Sequence, residues 1–187
     1  MARGCVLLDR DGVINHDSPD YILSAAQWRP IDGSLEAIAA LNAAGLTVAV
    51  CSNQSAVGRG MLAPATLQAI HELMHQALAA VGGHLDGVFV CPHAPAADCR
   101  CRKPRPGLLQ QALEQFDCAP ERALMIGDSR RDLIAAERSG VEGWLVKTGN
   151  GAALADELSP ATPVYPDLAA AVPAILRRLP TTHGVAP

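Results

Sequence analysis

The sequence predicts an α/β fold, a doubly wound (Rossmann-like) parallel sheet with helices on both faces, and three observations carry that prediction. Short apolar runs alternate with segments of helical spacing along most of the chain. The runs are continuously apolar, as strands buried on both faces are. Glycines and prolines stand where helices should end and begin. Cys5 to Asp9 is the first run. Arg10 to Asp32 has no clear period, and so long a connection reads as a flap near a site. Ser34 to Ala44 is helical and closes on Gly45, and Thr47 to Ser52 is the second strand. Pro64 to Val81, Gly87 to Cys91, Pro106 to Phe116 and Ala123 to Gly127 continue the alternation, with Pro64 and Pro106 at first-turn positions. Ser129 to Ser139 closes on Gly140 and leads into Gly143 to Val146. A short strand at Val164 and Tyr165 and a helix from Leu168 to Arg178 complete the series.

A chain of 187 residues, 49% apolar and 18% charged, suits one core. The expected domain is 1–179, with a metal-type loop at 91–106, no separate cap domain and a flexible tail at 180–187. Aromatic residues are only 3%, so Ala, Leu and Val must build the core. A net charge of -4 argues against a protein that wraps nucleic acid and suits a soluble monomer. No apolar run is long enough for a membrane span, and Met1 to Val13 lacks a signal-peptide pattern, so a cytoplasmic protein is expected.

In such folds ligands bind beyond the carboxyl ends of the strands, and polar residues gather at four of these ends. DRDGVIN follows the first strand, with Asp9 and Asp11 two apart. One carboxylate can attack as a nucleophile while the other moves protons, although Asp and Gly are also common turn formers. Ser52 and Asn53 end the second strand, where a hydroxyl and backbone N–H groups can hold phosphate oxygens. Asp128 ends the fourth, with Asp132 one helical turn later, oxygens that suit a hard cation. Lys103, in CRKPRPG, can neutralise a transferring phosphoryl group, and Arg102 can grip a second phosphate. Together these residues describe phosphoryl transfer.

Over Cys5 to Thr148 the set DRDGVIN, SNQSAVGRG, CPH with CRCRKPRPG, and MIGDSRRD resembles the haloacid dehalogenase-like phosphatases. The resemblance is to the branch containing heptose 1,7-bisphosphate phosphatase and histidinol-phosphate phosphatase. It implies Asp9 as nucleophile and Asp11 as general acid and base, with Ser52 and Lys103 gripping the phosphoryl group. It implies catalytic Mg²⁺ on Asp9, Asp128 and the backbone carbonyl of Asp11. Arg10, Asp17, Ser18, Tyr21, Ser52, Asn53, Gln54, Ser55, Arg102, Lys103 and Ser129 would bind substrate, a small phosphorylated sugar. The expected reaction is loss of the 7-phosphate from the heptose bisphosphate. Histidinol phosphate is the alternative substrate, and a non-catalytic module binding phosphorylated ligands is the alternative of another class. Two positions depart from the pattern: Ser129 stands where relatives often carry an acid or lysine, and Ala56 where glycine is frequent.

Cys91, His93, Cys99 and Cys101 form C-x-H-x5-C-x-C, four ligands for a structural Zn²⁺ that would shape Arg102 and Lys103. Unliganded thiols are the plain alternative. The string His71 to His75 matches HExxH, but Leu67, Ile70, Met74, Leu78 and Val81 form an apolar stripe that leaves both histidines at its margin. No third ligand follows, so a helix surface is the better reading.

Overall fold

The computed structural model describes residues 3–180. Six strands form one wholly parallel sheet: β1 (Cys5–Leu8), β2 (Thr47–Asn53), β3 (Gly87–Cys91), β4 (Ala123–Gly127), β5 (Glu142–Val146) and β6 (Val164–Tyr165), ordered β3-β2-β1-β4-β5-β6. β1 lies centrally, and its four residues CVLL are all fully buried. Burying a Val or Leu side chain contributes about 2 kcal/mol, so the strand that delivers Asp9 is firmly anchored.

Alternation along the strands separates two cores. Val6, Leu8, Val48, Val50, Leu124 and Ile126 face helices α1 (Ser34–Ala43), α3 (Pro64–Ala80) and α7 (Leu168–Arg178). Cys5, Leu7, Ala49, Cys51, Ala123 and Met125 face α4 (Gly107–Gln115) and α5 (Arg130–Arg138). Two short helices, α2 (Ser55–Gly58) and α6 (Gly151–Ala155), lie in stretches to which the sequence assigned no element. At one turn or so, neither can show a helical period.

Three expectations change. β3 is an edge strand, only partly buried from Gly87 to Val90, because β2 alone pairs with it. Pro106 is the N-cap of α4 and not a first-turn residue. The stretch from Arg10 to Asp32 does border the cavity, but much of it is packed into the core. Val13, Ile14, Ile22, Trp28 and Ile31 are buried, and Asn15 bridges both Asp11 and Pro30. Trp28 Nε1 donates to Asn15 Oδ1 over 3.0 Å, which ties the base of the segment and leaves Asp17 to Tyr21 near the cavity. Pro180 O accepts a bond from Gly4 N, while the remainder of the expected tail, 181–187, lies outside the described residues. No helix among the described residues is long and apolar enough to cross a membrane.

Candidate active site

Parallel register brings the ends of β1, β2 and β4 to one edge: Leu8 pairs with Val50 and with Ile126. Asp9 therefore emerges between the stretches that end in Ser52 and Asn53 and in Asp128. A cavity of about 450 Å³ opens there, lined by Asp9, Asp11, Asn53, Ser55, Lys103 and Asp128, with Asp17, Ser18, Pro19 and Tyr21 on one side and Arg59, Pro95, Arg102, Arg131, Asp132 and Asn150 completing it. That size suits a small metabolite.

Lys103 is buried, and its Nζ lies 3.0 Å from Asp9 Oδ2 and 2.6 Å from Asp132 Oδ1. Burial opposes its charge, but Asp132 and Asp9 outweigh that and hold the ammonium protonated well above its ordinary range. Asn53 fixes the lysine's backbone reciprocally, donating to Lys103 O and accepting from Lys103 N, both at 3.0 Å. Asp132 is also the N3 residue of a capping box. Its Oδ2 accepts from Ser129 N at 3.1 Å and Ser129 Oγ at 2.5 Å, so one buried carboxylate starts α5 and aims Lys103.

Burial pushes the Asp9 carboxyl up to about 7; Lys103 pulls it down, while Asp132, Asp11 and Asp128 push it further up. Asp128 is raised too, chiefly by burial. One oxygen from each of Asp9, Asp128 and Asp132 falls within a sphere where all are within 4.8 Å of one another. Three carboxylates share the single ammonium of Lys103, so the set stays net negative, and a divalent cation fits its hard oxygens. Asp132 is committed to the start of α5 through Ser129 and to Lys103, whereas Asp128 accepts bonds through Oδ2 alone among the described residues; a cation here would draw on Asp128 and share Asp9 with Arg10 N and Lys103. Gly12 and Gly149 both have positive φ, and a Cβ at either would collide with Asp128 Oδ2, so the loops close tightly over that carboxylate.

Asp11 stands in a different setting. Arg10 Nε and Asn15 Nδ2 donate to its Oδ1 at 3.0 and 2.9 Å; Arg10 Nη2 and Gln54 Nε2 donate to its Oδ2 at 3.1 and 3.0 Å. Arg10 is fully buried and also touches His71 Nε2 at 3.4 Å. Burial above all, with Arg10 and His75, lowers His71 to about 4, so near neutrality it meets Arg10 as an acceptor. His71 thus belongs to the support behind Asp11. The metal-capable groups among the described residues include neither His71 nor His75.

The sequence placed Arg10, Ser52, Gln54 and Ser129 on the substrate, but none of them lines the cavity. Arg10 and Gln54 turn back to hold Asp11, Ser52 Oγ accepts from Gln54 Nε2 at 2.8 Å, and Ser129 serves Asp132. The Asp11 carboxylate likewise lies outside the metal-capable group, leaving its carbonyl as the only part that the expected ligand set used. Asp9, Asp17, Ser18, Tyr21, Asn53, Ser55, Arg102, Lys103 and Asp128 do converge. Sequence reasoning gave no role to Asn150, whose N and Nδ2 donate to Asp128 Oδ2 at 2.8 and 3.0 Å and whose Nδ2 reaches Asp17 at 3.1 Å. Its signal was the TGNG turn after β5, another strand end at the same edge. Arg59 and Arg131 were also missed.

On the neighbouring loop the thiols of Cys91, Cys99 and Cys101 and His93 Nδ1 close on one another. Cys91 to Cys99 and Cys99 to Cys101 are 3.5 Å apart, and His93 Nδ1 is 3.6 Å from Cys91 and 3.3 Å from Cys101. These separations are near the edges of a tetrahedron with metal–sulfur bonds of about 2.3 Å, so the donor set fits zinc.

A family model described as HAD-hydrolase-like matches residues 100–171. The parallel sheet, its carboxylate-lined edge and this match define a phosphoric monoester hydrolase. D-glycero-β-D-manno-heptose-1,7-bisphosphate 7-phosphatase of Bordetella bronchiseptica is 44% identical over 92% of this chain and 97% of its own. The Pseudomonas aeruginosa protein of the same name is 44% identical over 95% of this chain and 100% of its own. The crystal structure of the Bordetella bronchiseptica D,D-heptose 1,7-bisphosphate phosphatase, complexed with magnesium and phosphate, matches with a TM-score of 0.90 over 93% of this chain and 98% of that one. The chain belongs to the heptose-1,7-bisphosphate 7-phosphatase family of HAD-like hydrolases.

Proposed function

We propose that this protein hydrolyses the 7-phosphate of D-glycero-D-manno-heptose 1,7-bisphosphate through a phospho-aspartate on Asp9. The observation that carries the chemistry is the meeting of Asp9, Lys103 and Asp128 at one cavity. The relatives' names favour the heptose bisphosphate over histidinol phosphate, and a carboxylate nucleophile beside a second carboxyl exceeds what a binding module needs.

Asp9 attacks phosphorus, a new Asp9 O–P bond forms, and the bond from phosphorus to the sugar oxygen breaks as Asp11 gives that oxygen a proton. Asp11 then takes a proton from water, whose oxygen attacks the phosphoenzyme and frees inorganic phosphate and Asp9. Lys103 balances charge on the phosphoryl oxygens throughout. The four donors around Asp11 describe its ionised state, since a protonated carboxyl could not accept all of them. The second step begins from this state; before the first, one donor lets go and Asp11 takes up a proton from solvent, which it then passes to the leaving oxygen. Mg²⁺, held by Asp9 and Asp128 with the Asp11 carbonyl, supplies charge that offsets repulsion between carboxylate and phosphate.

Cys91, His93, Cys99 and Cys101 hold a structural Zn²⁺ that shapes the loop bearing Arg102 and Lys103. The net charge of -4 supports a soluble monomer. The direct test follows ³¹P signals during turnover with Mg²⁺: the 7-phosphate should disappear while the 1-phosphate persists. Faster hydrolysis of histidinol phosphate would reverse the substrate reading, and sustained Mg²⁺-dependent turnover by Asp9→Asn would sink the mechanism.

A further inference from the structure

The cavity over Asp9 adjoins a second hollow of about 270 Å³, and the two share Pro95, Arg102, Lys103 and Arg131. The second hollow is strongly basic, with Arg105 and Arg138 also in its wall and Asp98 as its acid. Arg105 is committed, pairing with Asp98 and donating to Cys99 O at 2.6 Å. Arg138 Nη1 donates to Pro104 O at 3.1 Å. Lys103 is held between Asp9 and Asp132 and is thereby reserved for the transferring phosphoryl group.

Two guanidiniums remain. Arg102 Nη1 is buried with no hydrogen-bond partner, and a buried charged donor without an acceptor is costly. Arg131 is exposed on the first turn of α5 and makes no hydrogen bond or ion pair among the described residues, although its sequence neighbour Asp132 is fully engaged. Both side chains stand where the hollows meet. An anion there would give Arg102 its missing acceptor and Arg131 its counter-charge. Arg59, also exposed, borders only the first cavity, so it does not stand at this seam.

We propose that Arg131 is a specificity-determining residue which, with Arg102, holds the phosphate that is not transferred and so makes the site prefer a sugar bisphosphate to a monophosphate. This inference rests on the proposed substrate and adds to it the residue that reads the distal charge. A planar guanidinium can meet phosphate with two parallel bonds, which suits a group that must be held while the far end of the sugar reacts.

The test compares wild type, Arg131→Gln and Arg138→Gln on heptose 1,7-bisphosphate and on heptose 7-phosphate, which carries only the reacting group. Arg131→Gln should raise KM for the bisphosphate about tenfold with kcat little changed, and leave heptose 7-phosphate kinetics as in wild type. Arg138→Gln, altering the same basic wall at a committed arginine, should change neither substrate. Equal losses on both substrates, no loss on either, or the same selective loss in Arg138→Gln would overturn the assignment. If wild-type protein dephosphorylates heptose 7-phosphate but not the bisphosphate, the substrate reading falls and this inference with it; brisk wild-type turnover beside an unaltered Arg131→Gln defeats this inference alone.

Discussion

The carboxylates beyond β1 and β4 and the thiols at and beyond the end of β3 each converge on one point, yet different forces hold the two sets in place. Asp9 and Asp128 leave strands that are buried along their whole length; Lys103, itself held by Asn53, pairs with Asp9, and Asn150 donates to Asp128. The thiol loop leaves an edge strand, and most of Pro92 to Arg100 is exposed or half-buried. Its anchors are few: Arg105 reaches back to Asp98 and Cys99, and Gly58 N donates to Pro92 O at 2.7 Å. The oxygen site is thus shaped by the sheet before any cation arrives, whereas the thiol site needs its metal to hold one shape. Losing the first metal should stop chemistry without unfolding; losing the second should loosen the loop and spoil substrate binding.

The largest effect that separates the two regions is expected at the oxygen site. Asp9→Asn should lower kcat by about four orders of magnitude, because the attacking oxygen is gone, while far-ultraviolet circular dichroism stays as in wild type. Asp132→Ala comes next and probes how tightly that region is coupled. Breaking this buried pair removes a partner of Lys103 and the α5 capping box, so stability should fall by about 3 kcal/mol in urea unfolding, with a drop in kcat. A stability loss below about 1 kcal/mol would show that Asp9 alone holds the lysine.

Cys99→Ser/Cys101→Ser addresses the other region. KM should rise about tenfold with a smaller change in kcat, and limited proteolysis should cut between Pro92 and Arg100 while the sheet persists. Full activity in the metal-free double variant would defeat the structural role of zinc. The smallest effect is a pH dependence behind Asp11. His71 is lowered to about 4 in the fold, mainly by burial, against about 6.5 in an unfolded chain. Between these values the unfolded chain binds more protons, so His71 contributes stability that is complete above about 6.5 and is lost as pH falls toward 4. Urea midpoints of His71→Gln should therefore decline less over that interval than those of wild type.

Much of the site was legible because strand ends carry their chemistry in sequence. Asp9 and Asp11 follow an apolar run, Asp128 follows another, and Cys91, His93, Cys99 and Cys101 lie close enough in the chain for spacing alone to suggest a metal. Direction was harder to read. Arg10 and Gln54 occupy motif positions and were expected to face substrate, yet both are buried and bonded to Asp11. A charged residue is ordinarily exposed, and nothing local announces that a carboxylate and a glutamine from another strand end will bury it. Asn150 and Arg131 stayed silent for a related reason, since their meaning depends on which other segments stand beside them.

The sequence by itself determined the parallel α/β sheet, the strand that ends at Asp9 and the Cys91, His93, Cys99 and Cys101 set, because apolar periodicity and close ligand spacing are properties of neighbouring residues. Only the tertiary structure decided which polar side chains face the cavity and which support it from behind. That choice rests on contacts between residues distant in the chain: Lys103 with Asp9 and Asp132, Gln54 with Asp11, and Asn150 with Asp128. Burial makes such pairings obligatory, but the packing of the strands chooses the partners.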